Sequence, residues 1–417
     1  MTQRTRGWLT VAGLWISLAL LWATVIPTTG LFLGPISQAF HTSRAAVSLI
    51  SSLLAVGACV GALISGWLIG FVDARRVMLL GALVLVFTYV VASQVQSFSH
   101  LLVCYVILGM GVGISTLVPA SFIVGNWFEE GSAGIAMGIT MTGNSASSAV
   151  TVMLINYAIT HWGWRHAYLA LAIPIVIIEI PLITLLRPRP IREMPEGAAK
   201  LPLPSEGFEL GQALRTREFW LIVVGQFLFG WVANGILTHM VPYLQNLAYT
   251  RSHAAEALSL VMLLTSVGKI SLGLTADRVG ARWAAALNFA IEAVGVAFLI
   301  GAARLHFLIP GLICYGLTWG TPLALLPFLT IQSLGLKRYG AIAGLTNVAF
   351  TAGNALGALA TGWIFDITGS YADAFAVMAA FTFVGVFAAA ACRPLSQTMP
   401  PGERQTVRAR QAGGAPL

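Results

Sequence analysis

Lys269 lies inside an apolar stretch, 257–276, that reads ALSLVMLLTSVG before it and ISLGLTA after it. An ammonium left in hydrocarbon costs at least ~2.5–3.5 kcal/mol on insertion scales, so this one must face protein, water or an anion. No Asp or Glu lies within one helical turn of it along the chain. Residue type and setting suit it to gripping a negatively charged solute. The competing role is a lysine that snorkels to the nearer membrane face. With Asp277 two turns on, that face is ~10 Å away at 1.5 Å per residue, beyond comfortable reach.

Three further ionisable groups sit in apolar stretches. His239 is of the side-chain type that titrates nearest physiological pH. It serves either as a proton acceptor or as a structural histidine bonding a backbone carbonyl freed by Pro242, which breaks or bends its helix. Glu179 and Glu292 are intramembrane acids and functional suspects for proton coupling. Their plainer role is a protonated carboxyl bonded to a neighbouring helix.

The elements that must position these groups are membrane helices. The chain is 57% hydrophobic and 9% charged, with mean hydropathy +0.83, against roughly 25% charged residues in a soluble domain. A span needs ~20 mostly apolar residues. Twelve stretches qualify: 8–33, 46–71, 77–97, 101–127, 133–160, 166–186, 219–246, 255–276, 283–303, 307–335, 341–366 and 372–392. The net charge of +8 is not a nucleic-acid footprint. With the N-terminus inside, 18 Lys and Arg fall on the cytoplasmic side and 4 (Arg44, Arg165, Arg251, Arg304) outside. That bias fixes an even topology with both termini cytoplasmic. No cofactor or metal is expected. Cys59, Cys104, Cys314 and Cys392 lie in apolar stretches without ligand spacing. The Gly-x-Gly-x-Gly at 109–113 lies mid-helix with no preceding strand, where close helix packing explains it.

A Pro-, Glu- and Arg-rich segment, 187–218, divides six helices (1–186) from six (219–392), and a polar tail, 393–417, follows. The halves echo each other. Asp73 and Asp277 follow similar helix ends at an offset of 204 residues. Gly134-x-x-x-Gly138 is matched by Gly340-x-x-x-Gly344, and GWRHAY at 163–168 by GSYADAF at 369–375, both at 206. Three landmarks in one order predict a duplicated six-helix unit.

Gly273-Leu-Thr-Ala-Asp277-Arg278-Val-Gly280-Ala-Arg282 resembles the loop signature of the major facilitator superfamily, G-x-x-x-D-R-x-G-x-R; the first-half copy has Ala74 where the signature has Arg. Other stretches are similar to its monocarboxylate porter and oxalate:formate antiporter branch: NWFEEGSAGIAMG (126–138), Gly163-Trp164-Arg165, Thr238-His239-Met240-Val241-Pro242-Tyr243, and Arg338-Tyr339-Gly340 running on to Phe365-Asp366. The resemblance implies an all-α membrane protein of twelve helices in two pseudo-symmetric six-helix bundles, acting as a monomer in the cell membrane. It implies that a helix 8 cation, here Lys269, binds the substrate carboxylate. Some porters of this branch carry a proton-accepting acid one turn earlier, where this chain has Thr265. Dicarboxylate antiporters carry a second cation on helix 11, where this chain has Asn347 and Asn354, so a monoanion is expected. Helices 3, 6, 9 and 12 stand outside the cavity in this fold, which weighs against Glu179 and Glu292. Asp277, with Arg278 and Arg282, is expected to latch a neighbouring helix end, with Asp73 as a weaker counterpart.

Pocket residues are expected at Thr28, Thr29, Asn144, Asn234, Trp319, Thr321 and Asn347, each with inter-helix bonding as the alternative. Tyr105 has packing explanations of equal weight. The expected function is secondary transport of a small organic monocarboxylate of lactate or pyruvate size, with a proton as partner. The alternative is proton-driven export of drugs or amphipathic metabolites, whose helix 5 signature G-x-x-x-G-P here ends Gly143-Asn144 without the proline. A transporter-like receptor would need a soluble domain, and no paired catalytic cluster within a span points to an enzyme.

Overall fold

The computed structural model describes residues 3–25, 28–42, 44–128, 132–146, 148–186 and 207–398. Most of the expected linker and tail, with Glu129 and Glu130, lies outside them. The described chain is helical, with one isolated β-bridge, Gly207 to Gly335. Apolar runs leave no backbone polar group unpaired in a helix, which is why a lipid-embedded chain takes this form.

The first half comprises α1 (Gln3–Val25), α2 (Thr29–Phe40), α3 (Arg44–Leu68), α4 (Ala74–Gln94), α5 (Phe98–Ser115), α6 (Leu117–Trp127), α7 (Ala133–Ala146), α8 (Ser148–Pro174), a π-helical turn (Ile175–Glu179) and α9 (Ile180–Leu185). After the short α10 (Leu210–Ala213), the second half comprises α11 (Arg217–Asn246), α12 (Arg251–Val279), α13 (Ala281–Ile300), α14 (Leu305–Thr318), α15 (Pro322–Leu334), α16 (Tyr339–Thr368) and α17 (Tyr371–Ala391); α18 (Leu395–Thr398) closes the described chain.

Among the described residues, ten helices are long and apolar enough to cross a membrane, or eleven with the bent pair α14 and α15. The sequence count of twelve is one higher because α8 runs through Gly163, whose φ of 79° and ψ of 161° break it into two helices. The structure also corrects three stretches read as continuous. Stretch 8–33 divides between α1 and α2, stretch 101–127 at Thr116, and stretch 307–335 at Trp319, Gly320 and Thr321, where the axis bends by 42°. Thr116 has φ −108° and ψ −101°; Gly320 has φ 73°, a conformation glycine adopts without penalty. Neither residue has a side chain that a hydropathy count can register.

The repeat is visible in the backbone. Gly163 and Gly369, 206 residues apart, both take positive φ, 79° and 70°, at corresponding corners. Thr116 and Gly320, 204 apart, both interrupt a span.

The halves meet where α7 crosses α12 and α3 crosses α16. Small residues let these backbones touch, as in membrane helix pairs generally. A methyl group on Gly273 would lie 2.5 Å from the carbonyl oxygen of Gly134, and one on Gly340 would lie 2.5 Å from that of Gly66. Both contacts are near the end of the bundle that carries Asp73, Asp277 and the linker, here called the linker face. Residues 207–213 are strapped onto it. Phe208 donates its N–H to the Leu334 carbonyl at 3.0 Å, and Glu209 pairs with Arg338 at 2.9 Å and Lys337 at 3.4 Å. The Arg338 guanidinium holds the Glu209 carboxyl below the usual carboxylate range and also lies 6.0 Å from the Phe71 ring of the first half.

Gly340→Val places atoms where the Gly66 backbone stands, an overpacking cost of ~1–3 kcal/mol on the sealed arrangement alone. A cysteine at Ser121, buried on α6, is expected to react faster with a thiol reagent supplied from the linker face. The background lacks Cys59, Cys104, Cys314 and Cys392. Unchanged reactivity would show that this crossing does not seal the face.

Candidate functional site

α12 carries Lys269 at its crossing with α7. The side chain is 2% exposed, and its Nζ donates to the Met141 carbonyl of the opposite half at 2.9 Å. Gly138 provides the approach: a Cβ there would lie 3.1 Å from the Lys269 carbonyl carbon. On the other side is the break in the span formed by α14 and α15. A Cβ on Gly320 would lie 3.5 Å from Lys269 Cε and 3.9 Å from Nζ, so glycine there keeps the surroundings of the ammonium open. Thr265, one turn before Lys269, spends its hydroxyl on the carbonyls of Val261 and Gly316 at 2.9 and 3.1 Å. The lysine neither snorkels nor faces lipid. It joins the two halves, with the break of a bent span beside it.

The broken span is anchored from α11. Tyr315 Oη and Trp319 Nε1 both donate to the Ala233 carbonyl, at 3.0 and 3.3 Å. A cleft between the halves, on the linker side of this break, is lined by Leu117, Ser121, Gln226, Thr330, Thr346 and Asn347 among others. It carries neutral polar groups and no charge among its lining residues.

Of the expected pocket residues, the structure places Asn347 in that cleft and Asn144 buried on α7, one turn from Met141. Asn234 serves the inter-helix alternative: its Nδ2 donates to the Asn354 carbonyl at 2.9 Å and its Oδ1 accepts from Thr238. Thr321, at the break, donates its hydroxyl to the Leu317 carbonyl of α14. Thr28 and Tyr105 lie away from Lys269, in a small cavity of the first half with Thr24, Thr29, Phe32, Tyr89 and Tyr168. There Tyr105 and Tyr168 share a hydrogen bond of 2.8 Å between their hydroxyls. The residues missed from sequence are Met141, which acts through its backbone, and Gly320, Tyr315 and Gln226. Only Gln226, a polar side chain in an apolar stretch, gave a signal.

His239 bonds the Ala358 carbonyl of α16 at 3.1 Å rather than a carbonyl freed near Pro242. Glu179 falls on the π-helical turn and accepts from the Ser17 hydroxyl of α1. Glu292 is 0% exposed, and neither of its oxygens has a hydrogen-bond partner among the described residues.

At the linker face, Asp277 reaches across to the other half. Its two oxygens accept from the backbone N–H groups of Gly134 and Ile135 at 2.6 and 2.8 Å, at the start of α7. A carboxylate there meets both unpaired N–H donors and the positive end of the helix dipole. Of the two arginines expected beside it in that contact, Arg282 stacks 5.0 Å over Trp283; the bonds to the α7 start come from Asp277. Asp73 stays in its own half, held by Arg75 at 2.9 Å, which keeps its carboxyl below the usual range. The two copies of the loop thus differ: Asp73 closes on Arg75 within its own half, and Asp277 bonds across to α7.

A helical membrane bundle with a duplicated unit and a polar seam between its halves has the architecture of a solute carrier. The family model described as Major Facilitator Superfamily matches residues 11–358, and the chain belongs to that superfamily of transporters. It is 27% identical over 388 residues to monocarboxylate transporter 13 of Rattus norvegicus, covering 91% of this chain and 87% of that one. Against monocarboxylate transporter 2 of Homo sapiens it is 23% identical, covering 88% and 79%. Among solved structures, the transporter FucP in its outward conformation matches with a TM-score of 0.70 at 17% identity, covering 90% of this chain and 97% of that one. The proton:xylose symporter XylE matches at 0.71 and 11% identity, covering 94% and 97%. At these identities the solved structures establish the fold.

Asp277→Asn keeps the shape of the latch and removes its charge. Hydrogen bonds to a charged group are worth ~1.5–3 kcal/mol, enough for about a tenfold shift between linker-face-closed and linker-face-open forms. Spin-label distances between the linker-face ends of α7 and α12 are expected to show more of the separated form. An unaltered distance distribution would remove Asp277 from the gate.

Proposed function

We propose that this chain is a secondary transporter of small organic monocarboxylates, of lactate or pyruvate size, with a proton as co-substrate. The observation that carries this reading is the buried Lys269 ammonium at the seam between the halves, bonded across it to Met141. A carboxylate entering the seam competes with the Met141 carbonyl for that ammonium. Lysine offers a point charge with three donors rather than a flat fork, which suits one carboxylate. The relatives named monocarboxylate transporters agree with this substrate class.

In this cycle residues 1–186 and 219–392 rock as two units about the seam, linked by 187–218. The linker face is the cytoplasmic one in a cell membrane, by the excess of Lys and Arg there. The arrangement described is then closed to the cytoplasm by Asp277 and the two glycine crossings. A bound anion neutralises the lysine charge, so the loaded seam parts and re-forms with less desolvation than a lone charge demands. Asn144 and Asn347 stand within the same inter-half region and complete the polar lining.

Uptake of labelled monocarboxylates into proteoliposomes, with and without an imposed pH gradient, tests this reading. Lys269→Ala is expected to lower uptake at least tenfold, about 1.4 kcal/mol or more of anion binding, while Lys269→Arg retains part of it. If Lys269→Ala moves the best substrate as fast as the parent, the carboxylate site is elsewhere.

A further inference from the structure

Asn288 and Glu292 are four residues apart on α13, which puts their side chains on one face about 5–6 Å apart at Cβ. Both are 0% exposed. Among the described residues, none of their four polar atoms, Asn288 Nδ2 and Oδ1 and Glu292 Oε1 and Oε2, has a hydrogen-bond partner. Orphaned groups of this kind are rare in folded proteins and costly when buried. Two of them one turn apart, in the same interior, make a common cause the simplest account.

Counting donors and acceptors identifies that cause. An ionised carboxylate is an acceptor only; it can take one N–H from Asn288 but leaves Oδ1 without a donor and a charge without a counterion. A carboxylic acid has one O–H. Turned toward the amide, it donates to Oδ1 while its carbonyl oxygen accepts from Nδ2, and all four atoms are satisfied at once. We propose that Asn288 and Glu292 form a proton-binding site within the second half, closed as an acid–amide pair when Glu292 is protonated and opened when the proton leaves.

The surroundings agree. α13 packs against α12, α14, α15 and α17. α14 presents Cys314 and Tyr315 to it: a Cβ on Gly295, one turn from Glu292, would lie 2.9 Å from Cys314 Cβ and 2.8 Å from the Tyr315 nitrogen. Tyr315 is itself fully buried at this contact. α15 carries no titratable side chain. The only acid of α17, Asp373, lies in its first turn and is exposed. On α12, Lys269 is directed to α7 through Met141, Asp277 to the α7 N-terminus, and Glu256, His253 and Arg278 lie toward the helix ends.

Tyr315 links this site to the seam. Its hydroxyl shares the Ala233 carbonyl with Trp319, the residue at the break beside Lys269. A carboxylate left by proton release attracts the Tyr315 hydroxyl away from Ala233 and loosens the anchor of the broken span. This coupling rests on the transport reading above; the protonation of Glu292 does not.

Infrared spectra of the reconstituted protein in acidic and alkaline buffers test the site without any substrate. The parent is expected to show the C=O stretch of a protonated carboxylic acid that diminishes in alkali. The band is lost in Glu292→Gln, whose amide pairs with Asn288 without a titratable proton, and it remains in Glu179→Gln. A parent without the band, or a band that persists in Glu292→Gln, overturns the proposal. Should Glu292→Gln fail to reconstitute, Asn288→Leu supplies the reading: the band shifts because its hydrogen-bond partner is gone, and an unshifted band overturns the pair. In vesicles, Glu292→Gln is expected to lose the stimulation of uptake by an imposed pH gradient. Full stimulation would detach the site from coupling, whereas failure of the carboxylate reading would appear with Lys269→Ala instead.

Discussion

A cation buried where two halves of a membrane protein touch is the constraint around which the rest is arranged. An ammonium in so dry a place needs donors spent and charge answered. The bond from Lys269 to the Met141 carbonyl supplies part of that, and it does so from the other half of the chain. Separating the halves therefore removes a partner from the lysine. The glycines of α7 and α12 are what allow the two backbones close enough for that bond to exist.

Around this contact, continuous and broken elements are sorted. α12 runs unbroken from Arg251 to Val279 and carries both Lys269 and Asp277. The neighbouring span is the broken one, interrupted at Trp319 to Thr321, with its anchor on Ala233 of α11. Its counterpart in the first half breaks at Thr116. Two interrupted spans at equivalent places in a duplicated unit match how carriers place irregular backbone where it lines a cavity rather than lipid.

Much of this was legible in the residue order. Spans, duplication and the family could be read because apolar runs, Lys and Arg bias and the signature around Asp277 are properties of side-chain type. The position of Lys269 at the seam followed from its charge in an apolar stretch. What escaped is what the backbone does. The partner of Lys269 is a carbonyl, the partners of Asp277 are N–H groups, and the break at Thr116 leaves no mark in hydropathy. The signature pointed Asp277 at a neighbouring helix end without saying which atoms would receive it; a helix start offers two aligned donors and a positive dipole end without any basic side chain. Asn234 and Asn144 are the same residue type in similar stretches, and only the packing separates the one bonded to α16 from the one buried beside Met141. The Asn288–Glu292 spacing was visible, but its meaning depends on four atoms having no partner, which only coordinates reveal.

The chain has three lysines, Lys200, Lys269 and Lys337, so selective labelling isolates the central contact. Solid-state NMR of the reconstituted protein, with lysine Nζ labelled with ¹⁵N and the carboxyl carbon of lactate with ¹³C, measures their dipolar coupling directly. The account predicts a coupling of hydrogen-bonding range to a single lysine, absent after Lys269→Arg. A coupling that survives that substitution, or bound lactate with none, would contradict it.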